Sequence, residues 1–384
     1  MLAETLRVLD LTDQAIAYGA RLLADLGAEV IRVEQSGAVQ PGESDGEAES
    51  FLQYVHAGKR RVGLNLQTPQ ARQVLVRLCG NVDVVLDGIE PIIDDVTASY
   101  VDVRQIHPHL TWVAVREFAR GHREITAESV EIVRCALTGL LSIVGEPGEA
   151  PTVVGGGLSN AVVATYAALA AYLGTRVARL SGQGRLVWVS AYEALVSVMP
   201  QGLLEAALSG NVVKRTGSRH AHIAAAGLIP CRDGYVVVSA NEPRMWKALV
   251  DLVGDPRLRD EKLEHADERM RRQSEVFEVL AQWAQGYGKH ELAQAAQARR
   301  IPVAPVQSPF DILHDEQLQA LGFFAQSDQG EPMAYLRTPW ASGKVTAARP
   351  GEHTESVMQE AGFTRAEIRA LEADGVIFGA VSKV

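Results

Sequence analysis

The first ninety residues alternate short apolar runs with helical patterns, and no other feature constrains the fold so tightly. Residues 6–11 read as a strand, 17–26 as a helix, and Gly27 falls where a C-capping glycine belongs. Val30-Ile31-Arg32-Val33 reads as a second strand, with further strands over 82–86 and 110–115. Thr68-Pro69 reads as an N-cap followed by an N1 proline, opening a helix that ends before Gly80. Between these elements, residues 35–49 carry Glu43, Asp45, Glu47 and Glu49 and no base, the pattern of a solvated loop. Strand–helix–strand alternation with short turns implies a parallel sheet covered on both faces.

Further along, Gly155-Gly156-Gly157 precedes an alanine-rich helix over 160–177. The three glycines read as a turn, or as a cradle for an anion at the helix N-terminus. A strand at Leu186-Val187-Trp188-Val189 and a helix from Tyr192 follow. The texture then changes. Residues 211–227, rich in Gly, Ser, His and Ala without a clean period, read as a linker, and from Pro230 a turn feeds a strand ending in Val236-Val237-Val238. Charged helices are expected over 257–285 and 290–300, and a short amphipathic one over 365–372. The expected layout is a large domain beginning with 1–210, a linker over 211–227 and a small domain over 228–324. A return linker and the rest of the large domain occupy 325–384. Trp188 and Trp246 are expected in the core.

Charge narrows the partners. Lys and Arg total 37 against 47 Asp and Glu, so the net charge is 37 − 47 = −10, with no basic stripe for nucleic acid to use. Cys79, Cys135 and Cys231 have neither disulfide nor metal spacing. The longest apolar run, about 161–173, is short of the roughly 20 residues a membrane span needs. With no leader pattern at Met1-Leu2-Ala3-Glu4, a cytoplasmic protein is expected.

Several stretches are familiar. Residues 8–12 (VLDLT) and 22–34 (LLADLGAEVIRVE) resemble the opening of the class III CoA-transferases, the formyl-CoA transferase and carnitine CoA-transferase family. Gly58-Lys59-Arg60-Arg61-Val62-Gly63-Leu64-Asn65-Leu66 resembles its "NKRSVTLDL" stretch. Residues 184–190 with Glu193-Ala194 resemble its "GQxVDVSxxEA". Asp233-Gly234-Tyr235-Val236, residues 301–306, Gly351-Glu352-His353-Thr354 and Gly375-Val376-Ile377 follow in the family's order. The resemblance covers essentially the whole chain. It implies an α/β architecture, a Rossmann-like large domain plus a smaller α/β domain joined by two linkers, with two chains threaded as interlocked rings. It also implies coenzyme A as a substrate moiety, and neither a covalently bound cofactor nor a metal.

In the family an aspartate attacks the acyl-CoA thioester, forming a mixed anhydride and then an aspartyl-CoA thioester. Its position lies near the start of the alanine-rich helix, in a pattern like "D-x-x-x-G-x-Y-A-A-L". Tyr166-Ala167-Ala168-Leu169 set the register here, and the matching position holds Asn160. A carboxamide is neutral and forms no productive anhydride. The plain reading of Asn160 is a helix N-cap.

By family position the CoA-contacting residues are Ala15, Ile16, Gln35, Leu64, Asn65, Gly88, Ile89 and Glu131. Several depart from the family's pattern. Ala15 and Ile16 stand in a stretch that replaces "AGP", Gln35 takes the place of a basic residue or proline, and Asp87-Gly88-Ile89 replaces "ENF". Glu128 takes a position where a cation or small residue is common, within an acidic stretch that also holds Glu124 and Glu131. An acid repels the pyrophosphate it would face.

Arg219, His220 and His222 in the linker are further candidates, for a carboxylate or for a partner's pocket. The resulting expectation is a non-catalytic subunit paired with a homologous chain that keeps the aspartate. It would serve exchange between a donor such as succinyl-CoA and an acid such as an aromatic succinate. The alternatives are an active homodimeric transferase or acyl-CoA isomerase-type enzyme using another acid, for which Glu131 is the nearby candidate, and a regulatory pseudoenzyme.

Overall fold

The computed structural model describes residues 5–35, 46–88, 96–118, 131–325, 335–336, 338–339 and 347–380. Strands and helices alternate from the start: β1 (Arg7–Leu11), α1 (Ala17–Asp25), β2 (Glu29–Glu34), α2 (Gly46–His56), β3 (Arg60–Leu64), α3 (Ala71–Cys79), β4 (Val84–Asp87), α4 (Val96–Ile106) and β5 (Thr111–Arg116). Then come α5 (Glu131–Leu137), the short α6 (Leu140–Ile143), the long α7 (Leu158–Ser181), β6 (Leu186–Ser190), α8 (Ala191–Ser197) and α9 (Pro200–Ser209).

These strands pair in the order β3-β2-β1-β4-β5-β6, all parallel, and the short strand Ile377–Phe378 adds antiparallel to the outer edge of β3. The sequence alternates within each strand, so the sheet is apolar on both sides. Leu9, Leu11, Ile31, Val33, Val62 and Leu64 join one core cluster with residues of α3 and α4. Val8, Val30, Val84, Leu86, Val113 and Val115 join the other with α1 and α7. That is the doubly wound order, with a switch point between β1 and β4.

Two compact units result. One comprises 1–140, 154–204 and 319–384; the other 141–153 and 205–318. The second unit holds β7 (Ala226–Cys231), β8 (Gly234–Ser239), α10 (Pro243–Val253), α11 (Ala266–Arg271), α12 (Gln273–Ala284), α13 (Lys289–Gln297), β9 (Val303–Pro305), α14 (Pro309–Leu313) and the start of α15 (Glu316–Ala320). Its antiparallel sheet, ordered β7-β8-β9, packs one face on α10, α12 and α13 through Val236, Val238, Trp246, Leu280 and Ala293. The chain returns to the first unit through β10 (Phe324–Ala325), β11 (Tyr335–Leu336), α16 (Thr354–Glu360), α17 (Arg365–Ala373) and β12, the edge strand Ile377–Phe378.

Several local expectations change. Thr68 is not the N-cap of α3: the helix begins at Ala71, and the Thr68 hydroxyl donates to Asn65 O at 2.8 Å, closing a turn instead. The acidic stretch is not all loop, since residues 46–49 belong to α2; 36–45 lie outside the described residues. Residues 257–285 are not one helical run but two 3-10 turns followed by α11 and α12. Asp255 and Asp260 cap the turns by accepting from Arg257 N and Lys262 N. Trp246 is buried, whereas Trp188 is half-buried against the first core cluster.

By length and composition α7 could cross a membrane, and it is the only such helix among the described residues. Here one side of it, Val163, Ala164, Ala167 and Ala171, is buried in the sheet's second core cluster. Gly19 of α1 lets the two helices meet closely: a Cβ there would lie 2.4 Å from Ala164 O.

Candidate active site

In a doubly wound sheet the ligand crevice lies beyond the carboxyl ends of the strands. Ala15 and Ile16 follow β1, Gln35 follows β2, Leu64 ends β3 with Asn65 next, and Gly88 follows β4, so the topology gathers them along that edge. Their side chains divide. Ala15 is exposed and Gln35 half-buried, but Ile16 and Leu64 are wholly buried in opposite core clusters and present only backbone to the edge. Asn65 is spent locally: its Oδ1 accepts from Gln67 N at 3.2 Å and its Nδ2 donates to Gly375 O at 3.3 Å. Gly88 marks the closest approach at the switch point, where a Cβ would lie 2.5 Å from Asp13 N. Ile89, Glu124 and Glu128 lie outside the described residues.

Asn160 sits at the same edge, at the N-terminus of α7. It is not the N-cap. Gly157 takes that position with φ 67°, which a residue with a Cβ adopts only with strain, and Asn160 is the third residue of the helix. The cap comes from α5. Glu131 Oε1 accepts from Ser159 N at 3.1 Å, from Ser159 Oγ at 2.8 Å and from Asn160 N at 3.4 Å. The backbone donors that an external anion would use therefore already face a carboxylate of the chain itself. Among the described residues, the glycine triplet cradles no other group.

The Asn160 carboxamide is held from both ends. Its Oδ1 accepts from Arg134 Nη1 at 2.8 Å, and its Nδ2 donates to Glu131 Oε2 at 3.4 Å. Arg134, buried, also donates Nε and Nη2 to the two oxygens of Glu117 at 2.8 and 3.0 Å, a two-pronged ion pair. Glu117 O in turn accepts from Tyr192 N at 3.0 Å and from the hydroxyl of Ser190, the residue that N-caps α8. Sequence reading passed over Arg134 and Glu117. The i, i+3 spacing of Glu131 and Arg134 on one helical face was the available signal, but only the fold brings Glu117 to them.

Behind the β1 end lies a buried charge cluster, also missed although Lys59 stands within a recognised stretch. Lys59 Nζ donates to Asp10 Oδ2 at 2.8 Å and to Ala17 O at 2.9 Å. Thr12 donates to Asp10 Oδ1 through its N at 3.0 Å and its Oγ1 at 2.6 Å, and Arg32 reaches Asp10 at 3.3 Å. Burial alone would raise the Asp10 carboxyl, but Lys59 and Arg32 outweigh it and bring it down to about 2. Burial brings the Lys59 ammonium down to about 8 against the pull of Asp10. At the β4 end the balance is reversed. Burial raises Asp87 to about 6 although Arg116 Nη2 donates to its Oδ2 at 2.7 Å.

The linker candidates lie in the second unit. Arg219 donates to Ser274 Oγ at 2.9 Å and its guanidinium stands 5.2 Å from the Phe277 ring centroid, so it is tied to α12. His220 Nδ1 accepts from His222 N at 3.1 Å, and His222 Nε2 is 3.8 Å from Glu205. Among the described residues no group of three or more His, Cys, Asp or Glu is placed to hold a metal ion.

A parallel sheet of this order, with a helix N-terminus and a short polar side chain at its carboxyl edge, defines a doubly wound α/β protein. Residues 4–354 match CoA-transferase family III, and the chain belongs to that family. Its chemistry is exchange of CoA between thioesters and acids, so CoA thioesters are its substrates. The chain is 28% identical to the succinyl-CoA:mesaconate CoA-transferase of Haloarcula marismortui, with 94% of this chain and 96% of that one covered. It is 26% identical to subunit BbsE of the succinyl-CoA:(R)-benzylsuccinate CoA-transferase of Thauera aromatica, with 97% of each covered. The fold matches the crystal structure of a CaiB/BaiF family protein from Brucella suis. The TM-score is 0.80 at 19% identity, over 93% of this chain and 98% of that one.

Proposed function

We propose that this chain is the non-catalytic subunit of a heteromeric class III CoA-transferase. The complex moves CoA from a donor such as succinyl-CoA to a carboxylic acid such as an aromatic succinate. One observation carries the reading: the position matching the family's nucleophile holds Asn160, whose amide is engaged at both ends by Arg134 and Glu131. A carboxamide cannot form the anhydride through which the exchange runs. BbsE, a relative covering nearly the whole chain, is itself a subunit of such an enzyme. The partner is a homologous chain that keeps the aspartate.

Glu131 is poorly suited to stand in as nucleophile. Both of its oxygens are within hydrogen-bond distance of donors at the start of α7, which lowers their nucleophilicity and fixes their direction. The domain layout read from the sequence, with linkers over 211–227 and from 325, belongs to the same proposal, as does the interlocked pair. An outward apolar row on α7 supports it: Leu169, Leu173, Val177 and Leu180 are 40–80% exposed.

The test is CoA exchange by the purified chain alone and by the chain co-purified with an aspartate-bearing homologue, using succinyl-CoA and aromatic succinates. The chain alone gives no turnover and the pair does. Turnover by the chain alone, with Asn160 shown intact by mass spectrometry, would overturn the reading.

A further inference from the structure

Two consecutive residues at the end of β5 enter ion pairs on opposite sides of that strand. Arg116, its last residue, turns towards β4: Nη1 donates to Gly88 O at 2.5 Å and to Val115 O at 2.6 Å, and Nη2 to Asp87 Oδ2 at 2.7 Å. Glu117 turns towards α7 and accepts from Nε and Nη2 of Arg134. Arg134 Nη1 donates onward to Ser159 Oγ at 3.2 Å and to Asn160 Oδ1 at 2.8 Å. The contacts therefore run without a break from Gly88, at the switch point, to Asn160, at the start of α7.

Each member of this line is fixed. In the strand register Asp87 lies beside Ala114 and Arg116 beside Ser190. Tyr192 N donates to Glu117 O at 3.0 Å. The side chains of Asp87 and Arg134 are 0% and 2% exposed, and those of Glu117 and Arg116 13% and 17%. At the Gly88 end a Cβ would lie 2.5 Å from Asp13 N, so the loops after β1 and β4 meet with no room for a side chain between them.

An acyl-CoA held at this edge has to lie along the same line, because ligands enter at the switch point and the thioester carbon has to reach the side chain at position 160. We infer that the Arg116–Asp87 and Arg134–Glu117 pairs occupy the path of an acyl-CoA in this chain. The chain then holds no CoA of its own, and a complex with an aspartate-bearing homologue has a single CoA site per pair, in the homologue. The inference deepens the proposed function and rests on its reading of position 160.

The energetics favour the pairs over the ligand. A thioester and the amides of the CoA arm are neutral, so they cannot replace the carboxylates that two largely buried guanidinium groups would give up. The phosphates fare no better. Asp87, Glu117 and Glu131 place three carboxylates against the two guanidinium groups, and Glu131 already takes the backbone donors that start α7.

The test is binding, not turnover. CoA and succinyl-CoA are titrated calorimetrically into the full chain, and into its complex with an aspartate-bearing homologue. The chain is expected to show no binding tighter than about 1 mM, and the complex one CoA per pair. Two double variants remove each ion pair as a unit, so that no buried charge is left alone: Asp87→Asn with Arg116→Ala, and Glu117→Ala with Arg134→Ala. At least one is expected to bind CoA about tenfold more tightly than the native chain, or better. Circular dichroism shows which variants fold, and should one fail, the other carries the comparison.

Micromolar binding of CoA to the native chain, two CoA per pair in the complex, or folded variants that bind no better than the native chain would each overturn the inference. CoA binding without turnover would overturn it alone and leave the proposed function standing. Turnover by the chain with Asn160 intact would overturn both.

Discussion

Lys59 Nζ lies 2.8 Å from Asp10 Oδ2, and neither side chain is open to solvent. Asp10 is held at about 2, below its unfolded value, so its contribution to stability is present above about pH 4 and lost as pH falls through 2. The shift corresponds to about 2 kcal/mol. Asp10→Asn is expected to be less stable at pH 7 by about 3–5 kcal/mol, because Lys59 is left buried and unpaired. It is also expected to lack most of that loss on acidification from pH 5 to 2.5, measured by denaturant titration.

Asp87 titrates with the opposite sign. Raised to about 6, it keeps in the folded state a proton that the unfolded chain releases near pH 4, so stability falls between about pH 4 and 6. The full fall is about 3 kcal/mol. Asp87→Asn is expected to flatten this limb, leaving the variant at least as stable as the native chain at pH 7. A variant profile that still declines by the same amount would reassign the limb to another group.

Arg134→Met removes the donor to both oxygens of Glu117 and to the Asn160 carboxamide. A half-removed buried ion pair costs about 3–5 kcal/mol. The expected outcome is a loss of that order, with α5 and the start of α7 exchanging their amide hydrogens faster than the β1–β4 strands do.

Two glycines separate packing from flexibility. A Cβ at Gly184 would lie 1.8 Å from Leu110 O, whereas one at Gly155 would meet nothing within 4 Å. Gly184→Ala is expected to cost about 3 kcal/mol or more, since backbone must move, and Gly155→Ala to be nearly neutral, both read from thermal midpoints.

The exposed apolar row on α7 leads to an expectation about assembly. Sedimentation at micromolar concentration should show an oligomer, and Leu173→Glu, at a position about half exposed, should weaken it without unfolding the subunit. A folded monomer in the native protein would contradict the interlocked arrangement.

Legibility followed the range of the physical cause. Strands β1, β2, β4, β5 and β6 were readable because apolar runs and turn glycines are local; Gly27, at φ 100°, closes α1 as its position suggested. Strand β3 lies in a stretch that carries the family resemblance, but its residues show no strand pattern. Two of its five residues, Arg60 and Arg61, are charged, and those charges are met by Glu29, Glu34 and Glu360, distant in sequence. Helix α2 was hidden in the acidic stretch, and Thr68 offered a plausible cap that the backbone did not use.

Position 160 shows the same division most sharply. The sequence by itself determined that an amide stands there, in a register set by the Tyr166-Ala167-Ala168-Leu169 run, and an amide is no nucleophile wherever it is placed. Only the tertiary structure decided what the amide does. Glu131 lies 29 positions away and Arg134 lies 26, separations at which no helical or strand period relates side chains. The crossover from β5 through α5 to α7 brings them within hydrogen-bond distance of the same carboxamide. Periodicity and residue chemistry are local and can be read along the chain, whereas the pairing of buried charges depends on which chain segments the sheet order brings together.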